Sequence, residues 1–372
     1  MQGTNRTIVR ISRLVAVAAL IAALAPGAAV AKAPAHLKGA KTFVLPSQTY
    51  SDSVAISPTG VPWFGAGAPN MLSLISIEAE SMKVVDLDPH HELLTGHDFG
   101  RTDFLRFDGG GNLWFVRDDS AGGAVVRRAP DGTETAFALP PGPPVSSLAI
   151  GPESQVWLTR GHRRAAELVS VASTGTMTRY PLAAGSYSTS IVAGPDGAVW
   201  FTEEAAGDIG RISPRGKIRL LALGPRVHPR EIVAGPEGAL WLSENGERGR
   251  HGKPTDRIGR LTADGKITQF AIPFGRGTEQ LAADPGGRVW FSTEKGEISS
   301  ISPSGAIGGR GCPGSCASAI YSLAFAPDGA LWFAAEKHYV PCLLCGGGTA
   351  IQQQLEGAPV GEIPAGVLRP AP

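Results

Sequence analysis

Hydrophobic and polar residues along this chain follow one pattern, repeated seven times. A reversal rich in Pro and Gly leads into a short apolar run that carries a Trp. The seven copies read SPTGVPWFG, DGGGNLWFV, GPESQVWLT, GPDGAVWFT, GPEGALWLS, DPGGRVWFS and APDGALWFA. Their Trp residues, at 63, 114, 157, 200, 241, 290 and 332, are all the Trp in the chain. The intervals of 51, 43, 43, 41, 49 and 42 residues match the length of a four-stranded sheet unit. A Trp recurring at that interval predicts packing between neighbouring sheets.

Strand rules parse each unit, most clearly from Thr189 to Leu223. Ser190 to Ala193 is a short apolar strand, reversed at Pro195-Asp196-Gly197 where a turn favours Pro and Gly. Val199 to Thr202 returns, rich in β-branched and aromatic residues. Ile209 to Ile212 and Lys217 to Leu223 supply two more strands around Pro214-Arg215-Gly216. No segment of helical period intervenes. The pattern predicts an all-β fold, a seven-bladed β-propeller of four-stranded blades with inner strands beginning near Val54, Leu105, Leu148, Ile191, Ile232, Leu281 and Leu323. Thr42 to Pro46 resembles the fourth strand of the other units, so this N-terminal strand is expected to complete the seventh blade and close the ring. The stretch from Gly361 to Val367 is the alternative occupant of that slot.

The first 31 residues read differently. Arg6, Arg10 and Arg13 precede an apolar run from Leu14 to Ala25, a Pro26-Gly27 break and Ala29-Val30-Ala31, the layout of a signal peptide over residues 1–31. An uncleaved anchor is the alternative. Residues 32–372 then form a single propeller domain in a secreted or periplasmic monomer, with no membrane partner after cleavage. The three Arg leave with the signal, taking the formal charge from +1 to −2. Backbone-driven nucleic-acid binding needs a concentrated basic surface, and so is excluded. With 49 Gly, 30 Pro and 42% hydrophobic residues, the composition is that of a turn-dense buried fold rather than a disordered chain.

Blade geometry locates a site. The turn between the first two strands is tight, so residues before strand one and after strand two share one end of the blade. Eleven residues before each Trp stand Asp52, Asp103, Ser146, Thr189, Arg230, Glu279 and Tyr321, a polar ring around one mouth of the central channel. Three or four residues after the Trp stand Arg117, Arg160, Glu203, Glu244, Glu294 and Glu336, with Gly65-Ala66 breaking the pattern in the first unit. Converging carboxylates can hold a hard cation or shift one another's pKa, and Arg230 can hold a carboxylate. The bland account is that propeller ends are solvated and polar for that reason alone. The functional one makes this mouth the binding place of a small-molecule or peptide ligand.

The run Gly194 to Glu203 with Ile209 to Ile212, and again Gly235 to Glu244 with Ile258 to Pro273, is more specific than a generic blade. Over roughly Lys41 to Gly357 the chain resembles the virginiamycin B (streptogramin B) lyases. That resemblance implies a seven-bladed propeller, eliminative opening of the ring ester of type B streptogramins, a magnesium ion and a His general base near the axis. In that family a Pro-His pair precedes the inner strand of the sixth and seventh units. The metal is bound by a Glu two residues before the last of those His residues and by a Glu four residues after the last Trp. Position by position, Glu336 matches the second metal carboxylate. Tyr321 stands at the last His, Ala319 at the preceding Glu and Glu279 at the sixth unit's His. His228 lies in Val-His-Pro, in unit five and with the pair reversed. Glu279, Tyr321 and Glu336 are therefore the catalytic candidates, with Glu336 the candidate ligand for Mg²⁺. Glu279, expected to be crowded by Glu336 and Glu294, is the candidate substitute base and Tyr321 the candidate donor.

The four Cys form two late pairs, Cys312-x3-Cys316 and Cys342-x2-Cys345. Export favours disulfides; a four-Cys zinc site has suitable spacing and is the alternative. Glu247 to Asp256 is a basic insertion beside the mouth, and His90, His91 and His97 read as surface residues. Two functions compete: a metal-assisted C–O lyase or hydrolase opening an ester in a cyclic or small molecule, and a non-catalytic propeller that binds a peptide, glycan or protein.

Overall fold

A computed structural model describes residues 35–36, 39–45, 49–68, 71–88, 101–118, 123–162, 165–224, 227–246, 256–273, 277–313, 319–335, 359–365 and 368. Pro34–Pro372 form one compact unit. The signal-like segment, Glu336, Cys316, Cys342, Cys345, the three His of unit one and most of the basic insertion lie outside the described residues. Among the described residues no helix is long and apolar enough to cross a membrane.

Seven antiparallel sheets of four blade strands stand in a ring, a β-propeller. Their innermost strands are Tyr50–Ile56, Arg101–Phe107, Val145–Ile150, Ile191–Ala193, Val227–Ala234, Thr278–Ala283 and Ile320–Phe325. Each packs against the next, and the seventh returns to the first. Blade six also takes a fifth, two-residue strand, Ala35–His36, running parallel to Gly311–Cys312.

Each Trp sits on the second strand of its blade. Six are at least 93% buried, while Trp63 is only partly buried against the cluster joining blades one and two. The indole faces the outer strand of its own blade: Trp114 stacks on Phe137 at 5.9 Å, Trp157 on Tyr180 at 5.4 Å and Trp241 on Phe270 at 6.1 Å. The turn residue decides what the indole N–H meets. Asp108, Asp196 and Asp284 accept it at 2.8, 3.1 and 2.8 Å. Where Glu153 or Glu237 stands at the position of Asp196, four residues before the Trp, the turn becomes a short 3₁₀ segment with that Glu left-handed (φ +59° and +58°). Nε1 of Trp157 and of Trp241 then has no partner.

In blade seven the chain's two ends take different slots. Pro359–Ile363 is the third strand, and Lys41–Val44 lies antiparallel to it as the fourth. The two stretches that compete for one slot in the sequence therefore occupy neighbouring ones. Phe43 stacks on Trp332 at 6.0 Å, the contact that Phe137 makes with Trp114 in blade two. Gly65 breaks the post-Trp pattern of blade one for a steric reason. A Cβ there would run into the carbonyl of Thr102 on the next blade's inner strand.

Candidate functional site

Inner strands of neighbouring blades meet edge to edge near the axis, and hydroxyls join them. Ser53 Oγ accepts Leu105 N–H at 2.9 Å, Ser322 Oγ accepts Val54 N–H at 3.1 Å and Ser190 Oγ accepts Ile232 N–H at 3.2 Å. Thr189 Oγ1 donates to the carbonyl of Arg230 at 2.6 Å, and Ser146 Oγ to that of Ser188 at 2.8 Å. These bonds set the backbone from which the mouth residues project.

The mouth opens into a cavity of about 220 Å³. Six of the seven ring positions line it: Asp52, Ser146, Thr189, Arg230, Glu279 and Tyr321. The seventh, Asp103, does not. Blade two bulges between Asp103 and Arg106, with Phe104 left-handed at φ +58°, and Asp103 is buried off the cavity. A large residue in that conformation is strained, by roughly 1–2 kcal/mol. Phe104 and Arg106 line the cavity in place of Asp103.

Arg230 Nη1 bonds Glu279 Oε1 at 2.8 Å, from blade five to blade six, and Tyr321 of blade seven stands 41% exposed on the same wall. Glu231, next to Arg230, also lines the cavity. Burial among protein groups pushes its carboxyl up to about 7, and Glu279 adds to the rise; Arg106 and Arg230 oppose it. The position eleven before Trp marks the rim, but the residues ten and eight before it reach the cavity too. The signal for Arg106 was present in the repeat. The residue eight before Trp is Ala55, Ala149, Val192, Val233, Ala282 and Ala324 in the other six units.

Among the described residues after each Trp, none of Arg117, Arg160, Glu203, Glu244 or Glu294 lines the cavity. They project from second strands, where the inner strand stands between them and the axis. Arg160 is buried and tied down, donating to the carbonyls of Pro143 and Pro140 at 3.0 and 3.1 Å and pairing with Glu167 at 3.3 Å. Glu203 is buried, accepts Tyr187 N–H at 3.3 Å, and is raised by desolvation. Glu244 is buried, accepts Gln269 Nε2 at 2.7 Å and is pushed by burial to about 7, with Arg257 opposing. Glu294 lies against Gly277. His228 Nδ1 is 3.3 Å from the carbonyl of Glu204, away from the cavity.

The virginiamycin B lyase family model matches residues 45–343. The chain belongs to the virginiamycin B lyase family. Three solved lyase structures share the fold. A streptogramin B lyase is 22% identical, covering 87% of this chain and 96% of its own, with a TM-score of 0.66. A catalytically inactive virginiamycin B lyase from Staphylococcus aureus with quinupristin is 24% identical, covering 87% and 98%, with a TM-score of 0.67. The selenomethionine-substituted enzyme from the same organism is 22% identical over the same shares, with a TM-score of 0.67. Propellers of other kinds, such as the RRP9 WD40 repeats at 14% identity and a TM-score of 0.62, share the architecture alone. No curated protein sequence matches this chain.

Among the described residues, those at the lyases' metal positions do not fit a magnesium ion. Mg²⁺ is held by carboxylates and water in a near-ideal octahedron. Ala319, at one of the two metal positions, offers no side-chain donor. Glu279, the carboxylate lining the cavity in blade six, is already bound to the Arg230 guanidinium, which sets a positive charge beside any cation there.

Proposed function

We propose that this virginiamycin B lyase family member is an exported propeller that binds a small ligand bearing a carboxylate or ester group at the mouth of its central channel. The Arg230–Glu279 pair carries this reading. The Arg230 side chain is 40% exposed and lines the cavity, and its guanidinium has donors beyond the one spent on Glu279. A planar guanidinium binds a carboxylate through two parallel hydrogen bonds, or a carbonyl oxygen through one. Tyr321 adds a phenol that both donates and accepts.

A second reading, eliminative ester opening without a metal, is favoured by register. Glu279 and Tyr321 occupy the positions of the family's two His residues. Glu279 would take the proton from the carbon β to the ester oxygen on the alcohol side, a C=C bond would form as the C–O bond breaks, and Tyr321 would donate to the departing carboxylate oxygen.

One experiment separates the two. Type B streptogramins are titrated into the protein by calorimetry, and ring-opened isomers are resolved by chromatography. Binding without opening is the expected result, weakened about tenfold or more in Arg230→Ala. Opening that disappears in Glu279→Gln establishes the second reading instead. Affinity unchanged in Arg230→Ala removes the first.

Export through an oxidising compartment leads to a further expectation, two disulfides among Cys312, Cys316, Cys342 and Cys345. Cys312, at the end of blade six, is wholly buried. Mass spectrometry of the exported, unreduced protein is expected to find no alkylatable thiol. Four labelled thiols would contradict both the disulfides and the compartment.

A further inference from the structure

We propose that Arg106 and Glu231 form a second recognition subsite in the channel, one that takes an α-hydroxy or α-amino carboxylate. The proposal rests on reading the mouth as a binding site and adds the chemical class of its ligand.

Both residues line the cavity, from blades two and five, three blades apart on the ring. Arg106 lies further along its inner strand than the rim position, so its guanidinium serves the channel rather than the outer surface. Nη1 donates to the carbonyl of Leu105 at 2.7 Å. A guanidinium carries five N–H donors. Among the described residues no carboxylate stands within ion-pair distance of it.

The Glu231 carboxylate is likewise a group with capacity left over: its backbone N–H donates to Ser243 Oγ at 3.0 Å, and its side chain accepts no hydrogen bond from the described residues. The two attract each other across the channel without touching. Enclosure by protein lowers the affinity of Arg106 for its proton and raises that of Glu231. A partly buried guanidinium with no anion in contact is less favourable than a small apolar side chain, and the other six blades carry Ala or Val at this position. A residue kept against such a penalty is explained by what it binds.

The gap between the two groups suits one kind of ligand. A carboxylate of the ligand would face Arg106, and a hydroxyl or ammonium on the adjacent carbon would face Glu231. The charged groups facing Glu231 are Arg106, Arg230 and Glu279. Its ionisation near neutral pH makes it a better acceptor as pH rises, so the preference for an ammonium over a hydroxyl should grow from pH 6 to pH 8.

Propionate, lactate and alanine differ only at the α carbon and serve as probes, titrated by ligand-observed NMR at pH 6 and pH 8. Lactate and alanine are expected to bind the wild type severalfold more tightly than propionate. Arg106→Ala, the residue type found in other blades, should weaken all three about tenfold while leaving the melting temperature unchanged or higher. Glu231→Gln should remove the pH dependence of the alanine–lactate difference. Arg106→Lys keeps the charge and should retain part of the affinity.

Three outcomes overturn the subsite: no binding of any probe, binding that Arg106→Ala leaves intact, or equal affinity for propionate. If Arg230→Ala abolishes probe binding and Arg106→Ala does not, the mouth binds ligand and only the subsite fails. If neither change matters, the reading of the mouth fails with it.

Discussion

Removing residues 32–46 is expected to lower the melting temperature by about 10 °C or more, the largest effect of any change considered for this protein. Lys41–Val44 is the outer strand of blade seven, paired over four residues with Pro359–Ile363. Phe43 stacks on Trp332, and Leu45, 2% exposed, packs in the cluster that also holds Val54, Phe64 and Trp332 and joins blade seven to blade one. Burying a large apolar side chain stabilises by roughly 1.5–3 kcal/mol, and an aromatic pair adds about 1 kcal/mol. Two such side chains and one pair give roughly 4–7 kcal/mol, before counting the sheet edge exposed along Pro359–Ile363. Phe43→Ala alone should remove about 2–3 kcal/mol, because its ring is only partly buried. Calorimetric melting of the truncated and the substituted chain measures both. A truncated protein that melts within a degree or two of the intact one would show that the strand is dispensable.

Replacing Glu244 by Gln is expected to flatten the stability of the protein between about pH 5 and pH 8. Glu244 is 1% exposed, its Oε1 has no hydrogen-bond partner among the described residues, and burial holds its carboxyl near 7, well above the ordinary value. The folded state therefore keeps a proton that the unfolded chain releases near pH 4.5. The stabilising contribution is complete below the unfolded value and is lost as pH rises through about 7. A shift of this size corresponds to roughly 3 kcal/mol at most. Glutamine keeps the shape and the contact with Gln269 and carries no proton to lose. Denaturant unfolding at pH 5 and pH 8 should show the variant gaining about 1–3 kcal/mol over wild type at the higher pH only. Some slope will persist, since Glu203 and Glu231 are raised in the same direction. An unaltered slope in Glu244→Gln would mean that Glu244 ionises as readily folded as unfolded.

Much of this molecule was decided by local chemistry that a sequence displays. Seven Trp at blade intervals, each after a Pro/Gly reversal, determine seven sheets, because the turn and the alternation of apolar and polar residues act over a few residues at a time. Counting eleven residues back from Trp found six residues of the cavity lining for the same reason: strand register propagates along a short, tight hairpin. Counting forward from Trp found no cavity-lining residue among those described. Arg160, Glu203 and Glu244 sit at the same end of their blades, but whether they reach the axis depends on what stands in front of them. The inner strand does, so their carboxylates and guanidinium end in partly buried bonds to their own blade or to the connection leading into it. The bulge at Phe104 is likewise a tertiary outcome, and it exchanges Asp103 for Arg106 at the channel. The Arg230–Glu279 bond and the facing of Arg106 by Glu231 join residues 49 and 125 positions apart. No local rule relates such pairs; closure of the ring alone brings them to one axis, and with them the electrostatics of the site.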